Sequence, residues 1–198
     1  MKNKLFVLIG ESCSGKTTLE KKIRNRKLCR NVISLTTRKP RLNEVNGIDY
    51  YFTDKLIFEI YKTQEKLLEC TSYIMKNQGK VSYGIMKNDV KLDEDNYVCV
   101  LNPNGYKQVV KALGKENVVG IYIKRDPKER FLTYLSRENE NFYDLLEEAR
   151  RRLYKDIEDF ERIEDKVDYV IKNDSSVENM MEKFLEIFII ESKKYNIN

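Results

Sequence analysis

Eight residues, Gly10-Glu11-Ser12-Cys13-Ser14-Gly15-Lys16-Thr17, carry the first chemistry of the chain. The spacing G-x-x-x-x-G-K-[ST] builds a loop whose backbone N–H groups converge on phosphate oxygens. A helix opening near Lys16 adds the positive end of its dipole. Lys16 reaches the β- and γ-phosphates, and Thr17 offers a hydroxyl to Mg²⁺. Gly10, Ser12, Cys13, Ser14, Gly15, Lys16, Thr17 and Thr18 are therefore candidate contacts for a nucleoside triphosphate. The bland alternative is a Gly/Ser-rich turn that caps a helix. The apolar run Leu5–Ile9 before the loop and Leu19-Glu20-Lys21-Lys22-Ile23 after it favour the phosphate site.

A second set of residues follows at Ser34-Leu35-Thr36-Thr37-Arg38-Lys39-Pro40-Arg41, continuing to Tyr50-Tyr51-Phe52. Two arginines three apart, surrounded by hydroxyls, suit a phosphate dianion, because each guanidinium offers a planar fork of donors. Pro40 stiffens the segment and Gly47 permits the turn before the tyrosines. A solvated charged loop is the commoner meaning of such residues, but it would not gather Ser, Thr, Arg, Arg and Tyr behind a triphosphate loop. Two other triphosphate-binding classes lack their marks. There is no N-K-x-D base-reading motif, and Val98-Cys99-Val100-Leu101 closes on Asn102 rather than an aspartate.

These segments need a scaffold. Apolar runs at Leu5–Ile9, Val32–Leu35, Tyr97–Leu101, Val118–Ile123 and Tyr169–Ile171 read as buried parallel strands. Helical stretches at 16–26, 87–94, 104–114, 127–135, 143–163 and 176–194 alternate with them. That alternation predicts an α/β fold, a parallel sheet covered on both faces. In 143–163, Leu146, Ala149, Leu153, Ile157, Phe160 and Ile163 form one apolar helical face. Asn173-Asp174-Ser175 reads as the cap of the last helix. Residues 36–84 break the alternation and read as an inserted, mostly β subdomain, with strands near 50–52, 66–73 and 80–83. The polar stretch 136–142 reads as a mobile lid.

Composition narrows the class. The chain has 198 residues, 41% of them apolar and 35% charged, which is globular and long enough for one domain with small insertions. Its net charge of +5 is mild, and no basic run beyond Arg150-Arg151-Arg152 suggests nucleic acid. Histidine is absent, and the four cysteines show no C-x-x-C spacing, which disfavours zinc and histidine acid–base chemistry. The cysteines read as reduced thiols of a cytoplasmic protein. Cys13 reads as a small residue that the turn tolerates. No apolar stretch approaches a membrane span, and the first strand starts too early to leave room for a signal peptide. Small-molecule partners and a monomer or homodimer are expected.

The segment S-x-T-T-R-x-P-R-x-x-E-x-x-G-x-D-Y-x-F, together with the phosphate loop, resembles the guanylate kinases. The resemblance continues through Leu68-Glu69, Tyr83-Gly84, Gly105 and Val170-Ile171-Lys172-Asn173-Asp174, so it spans nearly the whole chain. It implies transfer of phosphate from ATP, with Mg²⁺, to GMP. It also implies a phosphate-loop core (1–33, 85–130 and 151–198), a monophosphate-binding subdomain at 34–84 and a lid at about 131–150. Ser34, Arg38, Arg41, Tyr50 and Tyr83 would hold the GMP phosphate, and Glu69 would accept the guanine ring N–H and amino group. Lys16, Arg137 and an arginine of the 150–152 run, Arg151 or Arg152, would spread over the transferring phosphoryl group.

The chain also departs from the family pattern. Ile85 stands where the family places a Ser or Thr hydroxyl beside the guanine carbonyl. Val100 and Asn102 replace an Asp-x-Asp pair, leaving Asn102 a carbonyl acceptor without charge. In the lid, Arg137 matches, Thr133 and Glu138 do not, and Arg130 lies one turn earlier as a substitute. Two alternatives follow: a kinase of this fold for another (deoxy)nucleoside monophosphate, and a non-catalytic guanylate-kinase-like binding module. Intact Gly15-Lys16-Thr17 counts against the second.

Overall fold

The computed structural model describes residues 3–75, 78–136, 142–174 and 176–194. The chain runs β1 (Leu5–Ile9), α1 (Lys16–Asn25), β2 (Arg30–Asn31), β3 (Leu35–Thr36), β4 (Tyr51–Phe52), α2 (Lys55–Thr63), β5 (Leu67–Met75) and β6 (Gly79–Met86). It continues with β7 (Tyr97–Leu101), α3 (Pro103–Leu113), β8 (Val118–Lys124), α4 (Pro127–Leu135), α5 (Phe142–Asp159), β9 (Tyr169–Lys172) and α6 (Val177–Lys193).

The expected parallel sheet is present, in the order β2-β7-β1-β8-β9, with every pairing parallel. All five residues of β1 are buried, because helices cover both of its faces. Leu5, Val7 and Ile9 join Tyr97, Leu101, Tyr106 and Val109 on one side. Phe6 and Leu8 join Leu19, Ile23, Met180 and Phe184 on the other. Strand periodicity thus splits one apolar run between two cores. The second sheet, β4-β3-β6-β5, is mixed: β3 pairs parallel with β4 and antiparallel with β6. Thr36 and Thr37 fasten it, since Thr36 Oγ1 donates to the Ser82 carbonyl at 3.0 Å and Thr37 Oγ1 accepts the Ser82 N–H at 2.9 Å. Gln108 of α3 ties it to the core by accepting the Cys70 N–H and donating to the Cys70 carbonyl, both at 3.0 Å.

Several boundaries differ from the sequence expectation. The strand placed at 32–35 is two short strands, β2 and β3, serving different sheets. The helix expected at 87–94 is a single 3-10 turn, Lys87–Asp89; beyond it Val90 and Leu92 pack on the core from a loop. The inserted segment contains a helix, α2, of which only Phe58 is fully buried. Helix α5 stops at Asp159, and Arg162, with φ of 53°, starts a separate turn that buries Ile163. Its buried face is also rotated from the expected one. Leu145 and Ala149 pack against Tyr134 of α4, while Ile157 is 71% exposed. The cap of α6 is Ser176, which accepts the Asn179 N–H, rather than Asn173 or Asp174; Ser175 lies outside the described residues. Of the expected lid, 131–136 and 142–150 lie in or beside α4 and α5, and 137–141 lie outside the described residues.

Candidate active site

The phosphate loop leaves the buried end of β1 and is shaped by backbone that few residues adopt. Cys13 has φ of 61° and Gly15 φ of 103°, left-handed backbone of the kind that builds anion-binding nests. A Cβ on Gly10 would lie 2.6 Å from Ser14 Oγ and 2.8 Å from the Ile123 carbonyl. A Cβ on Gly15 would lie 2.5 Å from Asn173 Nδ2, which donates to the Ser14 carbonyl at 2.8 Å. Asn173, expected as a helix cap, instead pins the loop. Lys16 Nζ donates to the Glu11 carbonyl at 2.7 Å and lies 3.4 Å from Ser14 Oγ. Desolvation pulls its pKa down to about 8, with Asp156 and Glu11 acting in the opposite direction. Fully buried Ser14 braces the loop from below, whereas Thr17 and Thr18 are exposed at the start of α1.

A cavity of about 310 Å³ joins this loop to the second sheet. Gly10, Ser12 and Lys16 line one side; Ser34, Arg41, Tyr50, Glu69, Tyr83 and Asn102 line the other, and Arg151 and Arg152 approach from α5. Thr17 lines an adjoining groove that shares Ser34, Arg41, Tyr50 and Val100 with the cavity. Most of the sequence-predicted residues therefore line one cleft and its groove; Cys13, Ser14, Gly15 and Thr18 line neither, and three arginines stand apart. Arg38 is 3% exposed and stands behind the wall. Its nitrogens donate to Tyr83 Oη at 3.0 Å, the Lys39 carbonyl at 2.7 Å and Glu44 Oε1 at 2.8 Å. Arg130 does not reach the cleft as a lid arginine would, but lies beneath the phosphate loop. Arg137 lies outside the described residues.

Glu44 also serves Arg41, accepting its backbone N–H at 2.8 Å and standing 3.5 Å from its guanidinium. One carboxylate thus orders both arginines. The rings of Tyr50 and Tyr73 each meet Tyr83 edge-on at 5.9 Å, which fixes the tyrosine wall. Burial raises the Tyr50 and Tyr73 pKa values, so both hydroxyls stay protonated and able to donate. On α5, Glu148 accepts from Arg151 at 2.7 Å and from Arg152 at 2.8 Å. Burial opposes charge on Glu148, but the two guanidiniums outweigh it and hold its pKa below the usual range. Arg150 is exposed.

At the far end of the cavity, Glu69 is 3% exposed and its Oε2 has no hydrogen-bond partner among the described residues. Burial raises its pKa to about 8. Gly105 gives this carboxylate room, since a Cβ there would lie 3.0 Å from Oε2. Asn102 is more committed than the sequence suggested. Its Oδ1 accepts the Gly105 N–H at 2.7 Å, capping α3, and its Nδ2 donates to the Tyr73 hydroxyl. Ile85 is fully buried and packs in the core beside Leu68 and Leu101.

Thr71, Tyr73 and Met75 also line the cavity, as do Lys155, Asp156, Asp159 and Phe160. Their periods could have revealed them. Glu69, Thr71, Tyr73 and Met75 alternate along one face of β5, and Arg152, Lys155, Asp156 and Asp159 recur along one face of α5.

The family model for guanylate kinase matches residues 2–191. The chain belongs to the guanylate kinase family. The guanylate kinase of Rickettsia felis is 35% identical over 98% of both chains. That of a Thermus thermophilus strain is 42% identical over 74 residues, which are 37% of this chain and only 34% of the relative. The crystal structure of guanylate kinase from Anaplasma phagocytophilum superposes with a TM-score of 0.72 at 23% identity, covering 98% of this chain and 88% of that one, which shows the shared fold. Among the described residues no helix is long and apolar enough to cross a membrane.

Proposed function

We propose that the chain transfers the γ-phosphoryl group of ATP to GMP, yielding ADP and GDP. The observation that carries this reading is the Glu69 carboxylate, buried with an unpartnered oxygen in the cavity that the phosphate loop opens on. A buried carboxylate oxygen without a donor costs stability, and a ligand with two adjacent N–H groups relieves it. Guanine presents such a pair at its ring nitrogen and 2-amino group; adenine presents a bare ring nitrogen and no 2-amino group.

Residues 34–84 form the monophosphate-binding part and the parallel sheet with its helices the core. Ser34, Arg41, Tyr50 and Tyr83 hold the acceptor phosphate, and Arg38 braces Tyr83 and Glu44 behind them. The left-handed turns at Cys13 and Gly15 and the close-packed Gly10 suit the loop to the phosphates of ATP. The Thr17 hydroxyl would hold the magnesium ion of the magnesium–triphosphate donor, which would neutralise charge on the phosphates. Among the described residues no group of three His, Cys, Asp or Glu could hold a metal by itself. The acceptor oxygen is already anionic, so no side-chain base is needed. Lys16, Arg151 and Arg152 neutralise charge on the moving phosphoryl group, and enclosure excludes water. Cys13, Cys29, Cys70 and Cys99 form no disulfide among the described residues, which supports a cytoplasmic setting.

A coupled assay with ATP and each of GMP, dGMP, AMP, CMP and UMP tests the proposal. GMP should give the highest kcat/KM. Equal use of AMP would remove Glu69 as the base reader, and ATP binding with no transfer to any acceptor would overturn the kinase reading.

A further inference from the structure

A charged network beneath the phosphate loop is left unused by these roles. Arg130 is 6% exposed although it carries a permanent charge. One terminal nitrogen donates to Asp156 Oδ2 at 2.7 Å and to the Ser12 carbonyl at 3.4 Å; the other lies 3.7 Å from Glu11 Oε1. Glu11 Oε1 in turn accepts the Tyr122 hydroxyl at 2.9 Å. Within this network two buried atoms, Glu11 Oε2 and Arg130 Nε, have no hydrogen-bond partner among the described residues. These two are the atoms that would complete a side-on fork. With Arg130 Nε on Oε2 and its Nη2 on Oε1, the pair becomes bidentate, the strongest geometry for such a pair. The present arrangement holds Arg130 short of that fork, and Asp156 is what holds it.

Asp156 projects from α5 into the loop. It accepts the Ser12 N–H at 3.3 Å, lines the cavity, and acts electrostatically on the Lys16 ammonium. A loop amide, a lysine and an arginine are the partners that a phosphate oxygen of the donor would take. Two anions cannot share that position without strong repulsion in a partly desolvated site.

We propose that Asp156 is an internal stand-in for a donor phosphate oxygen, displaced when the triphosphate binds, and that it sets the donor affinity of this enzyme. Its departure frees the Ser12 N–H and lets Arg130 close onto Glu11 beneath the loop. Arg130 is then a positioning residue: it touches the loop backbone, and the loop touches the donor. This inference rests on the donor role given to Gly10–Thr17.

The test uses the full chain in two arms. In the wild-type protein, isotope labelling follows the Ser12 amide and the Asp156 side-chain carboxyl carbon during titration with a non-hydrolysable magnesium–triphosphate analogue. Both signals should move with one midpoint. A Ser12 signal that moves while the Asp156 carboxyl stays still overturns the inference but leaves the donor site intact. No analogue binding by the wild type overturns the donor reading itself and the inference with it. In the second arm, Asp156→Asn keeps the shape and removes the charge. Calorimetry should show the analogue binding roughly tenfold tighter, the scale of one charged hydrogen bond, with GMP affinity within twofold of wild type. Unchanged or weaker analogue binding by a variant that melts as cooperatively as wild type overturns the inference. If the variant does not fold, the wild-type titration decides.

Discussion

Glu69 illustrates how a single carboxyl can link base recognition to pH. Its folded pKa of about 8 lies above the ordinary 4.5, so the unfolded chain loses its proton first as pH rises. The ligand-free fold therefore loses stability from about pH 4.5 upward and levels off above about pH 8. Two guanine N–H groups require the ionised form, so GMP should bind more tightly as pH rises toward 8, by at most about tenfold per unit. Glu69→Gln should flatten both dependences in pH-resolved melting and binding experiments. It should also lower kcat/KM for GMP by about a hundredfold, because an amide turns a donor toward a donor. Arg41→Ala is the complementary test at the phosphate end. It should raise the KM for GMP roughly tenfold to a hundredfold and leave that for ATP unchanged. Equal losses for both substrates in steady-state kinetics would contradict its assignment to the acceptor side.

At the scale of elements, local chemistry explains where helices begin near the cleft. Asp126 caps α4 by accepting the N–H groups of Lys128 at 2.8 Å and Glu129 at 3.2 Å. Asp126→Ala should lower stability by about 1 kcal/mol in denaturant melts while kcat/KM stays near wild type. A large loss of activity would mean that α4 bears on the reaction more directly. The parallel strands were legible in the sequence because burial on both faces writes an unbroken apolar run, as at Leu5–Ile9. The phosphate loop was legible because Gly10, Gly15 and Lys16 answer to backbone geometry and charge that few other residues supply. Helix α2 was hidden, since Leu56, Ile57 and Ile60 are exposed and blur the period that Phe58 alone would mark. The buried face of α5 was misread for a related reason: Leu146 and Ile157 are apolar yet exposed, while Arg152 and Asp156 turn inward to the cleft. Arg38 was recognised by type, but its commitment to Glu44 and Tyr83 depends on contacts made across the second sheet.

For the whole molecule, the cleft lies between two sheets that meet in a shared core, where Leu68 and Ile85 pack with Leu101 and Tyr106. Gln108 stands in for a neighbouring strand at the edge of β5, so the Glu69 end of the cavity is fastened to α3. A ligand that bridges the parallel sheet and the second sheet binds only the folded arrangement and stabilises it by mass action. GMP at a hundred times its Kd should add about 2.7 kcal/mol, which for a chain of this size raises Tm by several degrees. Thermal melts with GMP and with CMP at equal concentration measure this directly, and an equal shift from both would argue against base recognition by Glu69.

The double duty of Glu44 has a consequence for turnover. Arg41 in the cleft, with Arg38 buried behind it, would without a counter-charge hold a more highly charged product at least as firmly as the substrate. The Glu44 anion between Arg38 and Arg41 should weaken that grip and shorten the residence of the diphosphate. Glu44→Gln should lower the KM for GMP and also kcat, with GDP becoming a stronger inhibitor in product-inhibition kinetics. Unchanged GDP inhibition would mean that Glu44 only orders the arginines and does not govern escape from the site.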